Sequence, residues 1–255
     1  MTTVDLNADM GESFGPWPMG NDAALLDIVT SANIACGFHA GDPDTMAQTM
    51  ARAARGGVGI GAHPGLLDLQ GFGRRRMTVP HETLANWTRY QLGAAQTMAK
   101  AAGAQVRHLK LHGALGNMTS EDAEMAMACY AAALDVDPDI VIVAMAATAQ
   151  ERAVRDLGCA YAAEIFADRA YNDDATLVDR SQPHAVIHDP DHAARRIAEM
   201  VSEGAIVTDT GKRIPTRIDT ICMHGDNADA VALSRAVRSG LETAGIEVRR
   251  FAARR

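Results

Sequence analysis

Short apolar runs alternate along this chain with longer, alanine-rich stretches whose apolar positions recur at helical spacing. The short runs, bounded by glycine, proline or polar residues, predict strands. They are Thr3–Leu6, Ser31–Ala35, Val58–Ala62, His108–Leu111, Ile140–Ala144, Cys159–Ile165 and Thr220–His224, with Glu247–Phe251 a weaker eighth. The stretches between them predict helices over Asp22–Val29, Pro43–Arg55, His81–Ala102, Glu121–Leu134, Ala147–Leu157, Asp191–Glu203 and Ala228–Ala244. Within His81–Ala102, residues Leu84, Trp87, Ala94, Ala95 and Met98 share one stripe. Asp42 before Pro43 fits a helix cap followed by proline in the first turn. Thr119 with Asp122 resembles a capping box, with aspartate in the glutamate position. Gly103, Gly158, Gly204 and Gly245 sit where left-handed helix stops are expected.

Strands alternating with helices imply a mainly parallel sheet with right-handed crossovers. Seven or eight such units in 255 residues predict an α/β fold, a closed (β/α) barrel of seven or eight strands, complete or slightly deformed. A doubly wound open sheet is the alternative. No shift in composition marks a second domain, so residues 1–255 read as one barrel domain. Residues Val207–Arg217 look like a small hairpin inserted before the last strong strand.

A parallel sheet gathers the C-terminal ends of its strands on one rim, where barrel enzymes keep their sites. Polar residues cluster at those ends. Asn7, Asp9 and Glu12 follow the first strand, His39 and Asp42 the second, and His63 the third. Lys110 and His112 close the fourth, Glu164, Asp168 and Arg169 belong to the sixth, and His224, Asp226 and Asn227 to the seventh. His39, His63, His112 and His224 are flanked by Gly37, Gly41, Gly61, Gly65, Gly113 and Gly225, which permit tight turns and close backbone approach to a ligand. The other histidines, His81, His108, His184, His188 and His192, read as structural or solvated. Lys110 falls inside a strand run and is expected to point inward, where its charge needs a carboxylate or an anionic substrate. Asp42 fits a helix cap as well as a ligand contact. Arg74 and Arg75, in the glycine-rich run Gly71–Arg76, suit a phosphate or carboxylate.

Bulk properties narrow the function classes. A net charge of −8 argues against a nucleic-acid or anionic-membrane surface. The four cysteines, Cys36, Cys129, Cys159 and Cys222, form no CxxC pair. There is no apolar run of about 18 residues and no signal-peptide pattern, so a cytoplasmic setting is expected. Gly57–Ala62 matches the dinucleotide fingerprint in letters but lies along a strand. Gly211-Lys212 has Ile206 where a phosphate-binding loop needs glycine, and there is no Gly-x-Ser-x-Gly elbow. Two chemistries fit the rim, both of them attack of water on an acyl carbon. In one, Asp9 with two or three histidines holds a divalent metal. In the other, a carboxylate such as Asp9 or Asp226 is general base while histidine and lysine stabilise the oxyanion.

Long blocks of this chain resemble the LamB/YcsF family of 5-oxoprolinase components. They are Asp5–Gly15, Ala32–Asp42, Gly61–Gly65, Gly71–Arg75, Lys110–Leu115, Glu164–Tyr171 and His224–Asn227. The resemblance implies ATP-dependent opening of the lactam 5-oxo-L-proline to L-glutamate, performed with partner subunits B and C that share the ATP. It also implies a barrel akin to polysaccharide deacetylases, in which Asp9, His39 and His63 would be the metal candidates. On this basis Asp9, Glu12, His39, His63, Lys110, His112 and Asp226 are the expected catalytic residues. Asn7, Asp42, Arg74, Arg75, Glu164, Arg169, His224 and Asn227 are the expected substrate or phosphate contacts. Leu111 and Gly116 depart from the family's usual proline and tyrosine, which puts fine substrate contacts in question. A stand-alone metal-dependent deacetylase or amidohydrolase, and a non-catalytic 5-oxoproline-binding subunit, are the competing readings. Assembly of copies of this chain stays open.

Overall fold

The first strand, β1 (Thr3–Met10), sets the logic of the whole fold by its alternation. Val4, Leu6, Ala8 and Met10 belong to the main apolar cluster, while the interleaved Asp5, Asn7 and Asp9 bond to side chains of neighbouring strands across the interior. The computed structural model describes residues 2–224 and 230–252. After β1 come α1 (Asp22–Leu26), β2 (Ser31–Ala35), α2 (Pro43–Arg55), β3 (Gly59–His63), α3 (His81–Ala101) and β4 (Val106–Leu109). The chain continues through α4 (Gly113–Glu121), α5 (Ala123–Val136), β5 (Val141–Met145), α6 (Ala149–Leu157), β6 (Tyr161–Phe166) and α7 (Pro190–Glu203). It ends with β7 (Ala205–Val207), β8 (Arg213–Pro215), β9 (Thr220–Met223), α8 (Ala230–Thr243) and β10 (Glu247–Val248).

Strands β1 to β6 pair in order, all parallel, and β9 pairs with both β6 and β1. The sheet is therefore a closed seven-stranded barrel, and the open-sheet alternative is excluded. The weak eighth strand exists as β10 but pairs only with Thr3 and Val4 of β1. The expected hairpin is the antiparallel pair β7–β8. β3 (Gly59–His63) takes in the last four positions of the glycine-spaced run 57–62, which therefore does not open a helix as the dinucleotide fingerprint requires.

Two expectations about helices are corrected. Thr119 caps nothing: its hydroxyl donates to the Leu115 and Gly116 carbonyls inside α4, and Asp122 alone caps α5 by accepting from Glu124 and Met125 N–H. Helix α4 itself was not predicted, because its sequence, with two glycines, carries no clear helical period. Elsewhere the caps follow local chemistry. Asp42 accepts from Asp44 and Thr45 with Pro43 in the first turn, and Gly158 ends α6 in the left-handed region.

The main core lies between the barrel wall and the helices and includes Leu6, Ile34, Leu92, Ile142, Ile165 and Val237. The barrel interior is divided. Val141, Val143 and Ala162 form a small apolar cluster there, and the other strands present polar side chains.

Candidate active site

At the C-terminal ends of the strands lies a cavity of about 530 Å³ lined by Asp9, His63, Lys110, His112, Arg169 and His224 among others. A larger cavity of about 730 Å³ opens at the opposite end. Its one histidine, His108, is bonded to Asn33 Oδ1 at 2.8 Å, and burial with nearby Lys110 pushes its pKa down to about 3. The buried cluster of histidines, carboxylates and lysine sits at the first end, which makes that end the candidate site.

Lys110 organises the floor. Its Nζ donates to Asp9 Oδ1 at 2.9 Å and to Cys222 Sγ at 2.8 Å, and lies 3.2 Å from Glu164 Oε1. Burial opposes its charge, yet Asp9, the Cys222 sulfur and Glu164 outweigh burial and hold its pKa well above the usual lysine value. Asp9 is likewise buried, but His63 and Lys110 hold its carboxyl well below the usual range. Burial raises Glu164 more than Lys110 lowers it. One cation thus faces two carboxylates whose affinities for protons are driven apart, which is how environment separates acid from base.

Three imidazoles pack beside Asp9. His63 Nδ1 donates to the Lys110 carbonyl at 2.8 Å, and its Nε2 lies 3.3 Å from Asp9 Oδ2 and 3.0 Å from His112 Nδ1. His112 Nε2 donates to the Phe72 carbonyl at 2.8 Å. His39 stacks on His112, with ring centroids 3.6 Å apart and planes 7° apart. Burial, with the charge of His63, depresses the pKa of His39, and burial with His39 and His63 depresses that of His112. Glu12, His39, His63 and His112 each offer a donor atom within 4.8 Å of the others, a set able to hold a metal ion. Asp9, Cys222 and His224 form a second such group.

The glycines here make room for histidine rings. A Cβ on Gly61 would lie 2.1 Å from His108 Nε2, on Gly65 2.6 Å from His39 Nδ1, and on Gly73 2.6 Å from His39 Cβ. Phe72 and Gly73 are both in the left-handed region (φ 53 and 61), a costly conformation for phenylalanine that turns its carbonyl onto His112.

On the far wall, His224 Nδ1 bonds both oxygens of Asp168, at 2.9 and 2.8 Å. Burial acts against Asp168, but His224 holds its pKa below the usual value. The His224 ring stacks on Phe166. Arg74, Arg76, Arg169 and Arg180 line the mouth of the cavity. Arg169 is buried, donating to the Ala185 and Val178 carbonyls, and burial with neighbouring Arg180 lowers its pKa to about 10.

The structure therefore brings together Asn7, Asp9, Glu12, His39, His63, Lys110, His112, Glu164, Arg169, Arg74 and His224. Two expected contacts are elsewhere. Arg75 turns outward and pairs with Asp68, and Asp42 caps α2 while accepting from Gly15 N–H at 2.8 Å. Asp226 and Asn227 lie outside the described residues. Sequence reasoning missed Asn33, which donates to Asn7 and Asp9, and Cys222, which receives Lys110. Both sit on the polar side of a strand alternation, a signal present in the sequence. The Gly116 departure also has a structural counterpart: a Cβ there would lie 2.9 Å from the Leu111 carbonyl.

Residues 4–255 match the LamB/YcsF family. This chain belongs to the LamB/YcsF family. A member from Ruegeria pomeroyi, named as the A component of 5-oxoprolinase, is 67% identical over 98% of this chain and 99% of its own length. Another LamB/YcsF relative of the same name, from Gluconobacter oxydans, is 53% identical over 97% of both. The crystal structure of a lactam utilization protein from Thermus thermophilus superposes with a TM-score of 0.91 at 42% identity, covering 98% of this chain and 100% of that one. A peptidoglycan N-acetylglucosamine deacetylase domain from Eubacterium rectale, at TM-score 0.53 and 12% identity over 98% and 89% of the two chains, shares the fold. No helix among the described residues of this LamB/YcsF chain is long and apolar enough to cross a membrane.

Proposed function

We propose that this chain is the lactam-opening component of an ATP-dependent 5-oxoprolinase, converting 5-oxo-L-proline to L-glutamate together with partner subunits B and C. The observation that carries this reading is full-length identity of 67% to a protein named as the A component of 5-oxoprolinase. The geometry supports it. An unactivated lactam carbonyl resists water, so the ATP shared with the partners would activate the amide oxygen as a phosphate ester. This chain would deliver the water. Asp9, kept ionised by His63 and Lys110, takes the water proton. Lys110 balances the negative charge of the phosphorylated acyl group. Water oxygen bonds to the ring carbon that carries the phosphate ester, the ring C–N bond breaks, and a second water cleaves the acyl phosphate so formed to L-glutamate and inorganic phosphate. The departing nitrogen takes a proton from His224, whose Nδ1 is held by Asp168, which leaves Nε2 as the transferring atom. Arg74 and Arg169 hold the substrate carboxylate or the phosphate. A metal held by the Glu12–His39–His63–His112 group would supply Lewis acidity to the same acyl group.

The test is glutamate formation from 5-oxoproline and ATP with subunits B and C. Addition of this chain is expected to be required. His224→Ala and Asp9→Asn should each lower the coupled rate by about 10²-fold or more while the fold is kept. Full activity of B and C alone, or of both variants, would refute the reading. Turnover without partners or ATP would favour the stand-alone amidohydrolase.

A further inference from the structure

His63 and His112 each have one ring nitrogen tied to a carbonyl oxygen, of Lys110 and of Phe72. A carbonyl only accepts, so each of those nitrogens carries a hydrogen, and in a neutral ring the other nitrogen carries a lone pair. The two lone-pair nitrogens, His63 Nε2 and His112 Nδ1, face each other at 3.0 Å. Two lone pairs at that distance repel unless a positive charge serves both. A single shared proton would satisfy this pair, but it would do nothing for His39. That ring has no exposed surface, and neither of its nitrogens has a hydrogen-bond partner among the described residues. A buried polar group left so is costly and calls for an explanation. Glu12 Oε1 lies 3.6 Å from His39 Nε2 and 3.7 Å from His112 Nδ1.

A cation answers all of these at once. We propose that Glu12, His39, His63 and His112 form a binding site for one divalent transition cation of the zinc class. Three neutral imidazoles with one carboxylate are the donor types such ions prefer. The carbonyls of Lys110 and Phe72 fix the tautomers and aim the lone pairs, the second layer that metal-binding histidines use. Gly65 and Gly73, with no Cβ, give His39 the room to take its place. The set differs from the Asp9–His39–His63 trio expected from the fold. Asp9 Oδ1 already receives Lys110 and Asn33, and only its Oδ2, 3.3 Å from His63 Nε2, reaches the group, so Asp9 stands beside the site chiefly as a charge. His63 and His112 line the cavity as well, so the ion would adjoin it.

Binding can be measured with no substrate or partner present, so its failure and failure of the lactam reading are distinguishable. The full chain, stripped by chelator, would be titrated with Zn²⁺ by calorimetry and with Co²⁺ by visible absorption. One equivalent of Zn²⁺ and Co²⁺ ligand-field bands are expected. Glu12→Gln, which keeps the side-chain volume, and His39→Gln should each weaken Zn²⁺ binding by about 100-fold or more and lose the bands. Asp9→Asn should weaken it less than either and keep them. Circular dichroism would confirm that each variant is folded. Absence of stoichiometric binding in the folded wild type overturns the proposal. So does a spectrum that survives both Glu12→Gln and His39→Gln, or one that Asp9→Asn alone abolishes.

Discussion

Gly61 shows how a single position can carry the register of the interior. A Cβ there would lie 2.1 Å from His108 Nε2, the atom that Asn33 Oδ1 holds at 2.8 Å. Gly61→Ala should therefore destabilise the protein by about 1–3 kcal/mol in urea unfolding, since His108 must shift against its bond to Asn33. A Cβ on Gly93, in α3, would meet nothing within 4 Å among the described residues, so Gly93→Ala should stabilise by about 0.5–1 kcal/mol. Asp5 gives a pH signature. Burial outweighs its bonds from Thr220, Thr30 and Ser31 and raises its pKa from 3.8 to about 6. A folded pKa above the unfolded one means the native state binds the extra proton. The stabilisation is full below about 4 and is lost as pH rises through about 6, on the order of 3 kcal/mol in all. His108 acts in the opposite sense: its pKa falls to about 3, so its contribution is lost as pH falls towards that value. The two offset each other, and the wild-type curve alone would hide both. The difference in stability between wild type and Asp5→Asn, measured by thermal unfolding from pH 4 to 8, should shift in favour of Asn as pH rises. A difference that does not change with pH would contradict the Asp5 assignment.

At the scale of elements, most boundaries were legible because their chemistry is local. Asp42-Pro43 starts α2, and Gly158 and Gly204 stop α6 and α7; α7 itself starts at Pro190 behind the Asp189 cap, one residue before the expected Asp191. Helix α4 was not legible. Its first turn hangs on His112 as cap residue with no side-chain cap bond, and the Ala114 N–H is bonded to the Gly73 carbonyl from a distant loop. That element is held by its tertiary setting. By contrast, Asp122 accounts for the start of α5 by itself, so Asp122→Ala should cost about 1 kcal/mol in chemical denaturation, with the site unaffected. The strands carried a second message that was only half read. Period-two polarity in Asp5-Asn7-Asp9, Ser31-Asn33, His108-Lys110-His112 and Thr220-Cys222-His224 marks one face of each as polar along its whole length. Position at a strand end marks Asp9, His112 and His224, whereas Asn33 and Cys222 lie deeper on the same faces.

For the molecule as a whole, the barrel encloses a polar network with Lys110 as its buried cation beside Asp9 and Glu164. Removing one partner of such an arrangement strands the others. Lys110→Met should cost about 3–5 kcal/mol in equilibrium unfolding, and adding Glu164→Gln to it should restore part of that loss. Equal stability of the single and double variants would show that Glu164 does not share the lysine's charge. The interior is thus more than a scaffold: the groups that stabilise the closed barrel are those that set the protonation of the site.

The sequence by itself determined the alternation of strands and most helices, the caps at Asp42, Gly158 and Gly204, and which residues stand at the C-terminal rim, because each of these is written within a few neighbouring positions. Only the tertiary structure decided that the sheet closes through β9 onto β1, that Lys110 meets Asp9 across 101 positions of chain, and that Arg75 and Asp42 turn away from the site. Closure and pairing depend on which strands become neighbours. A local pattern fixes the face of a strand, and only packing fixes what that face will meet.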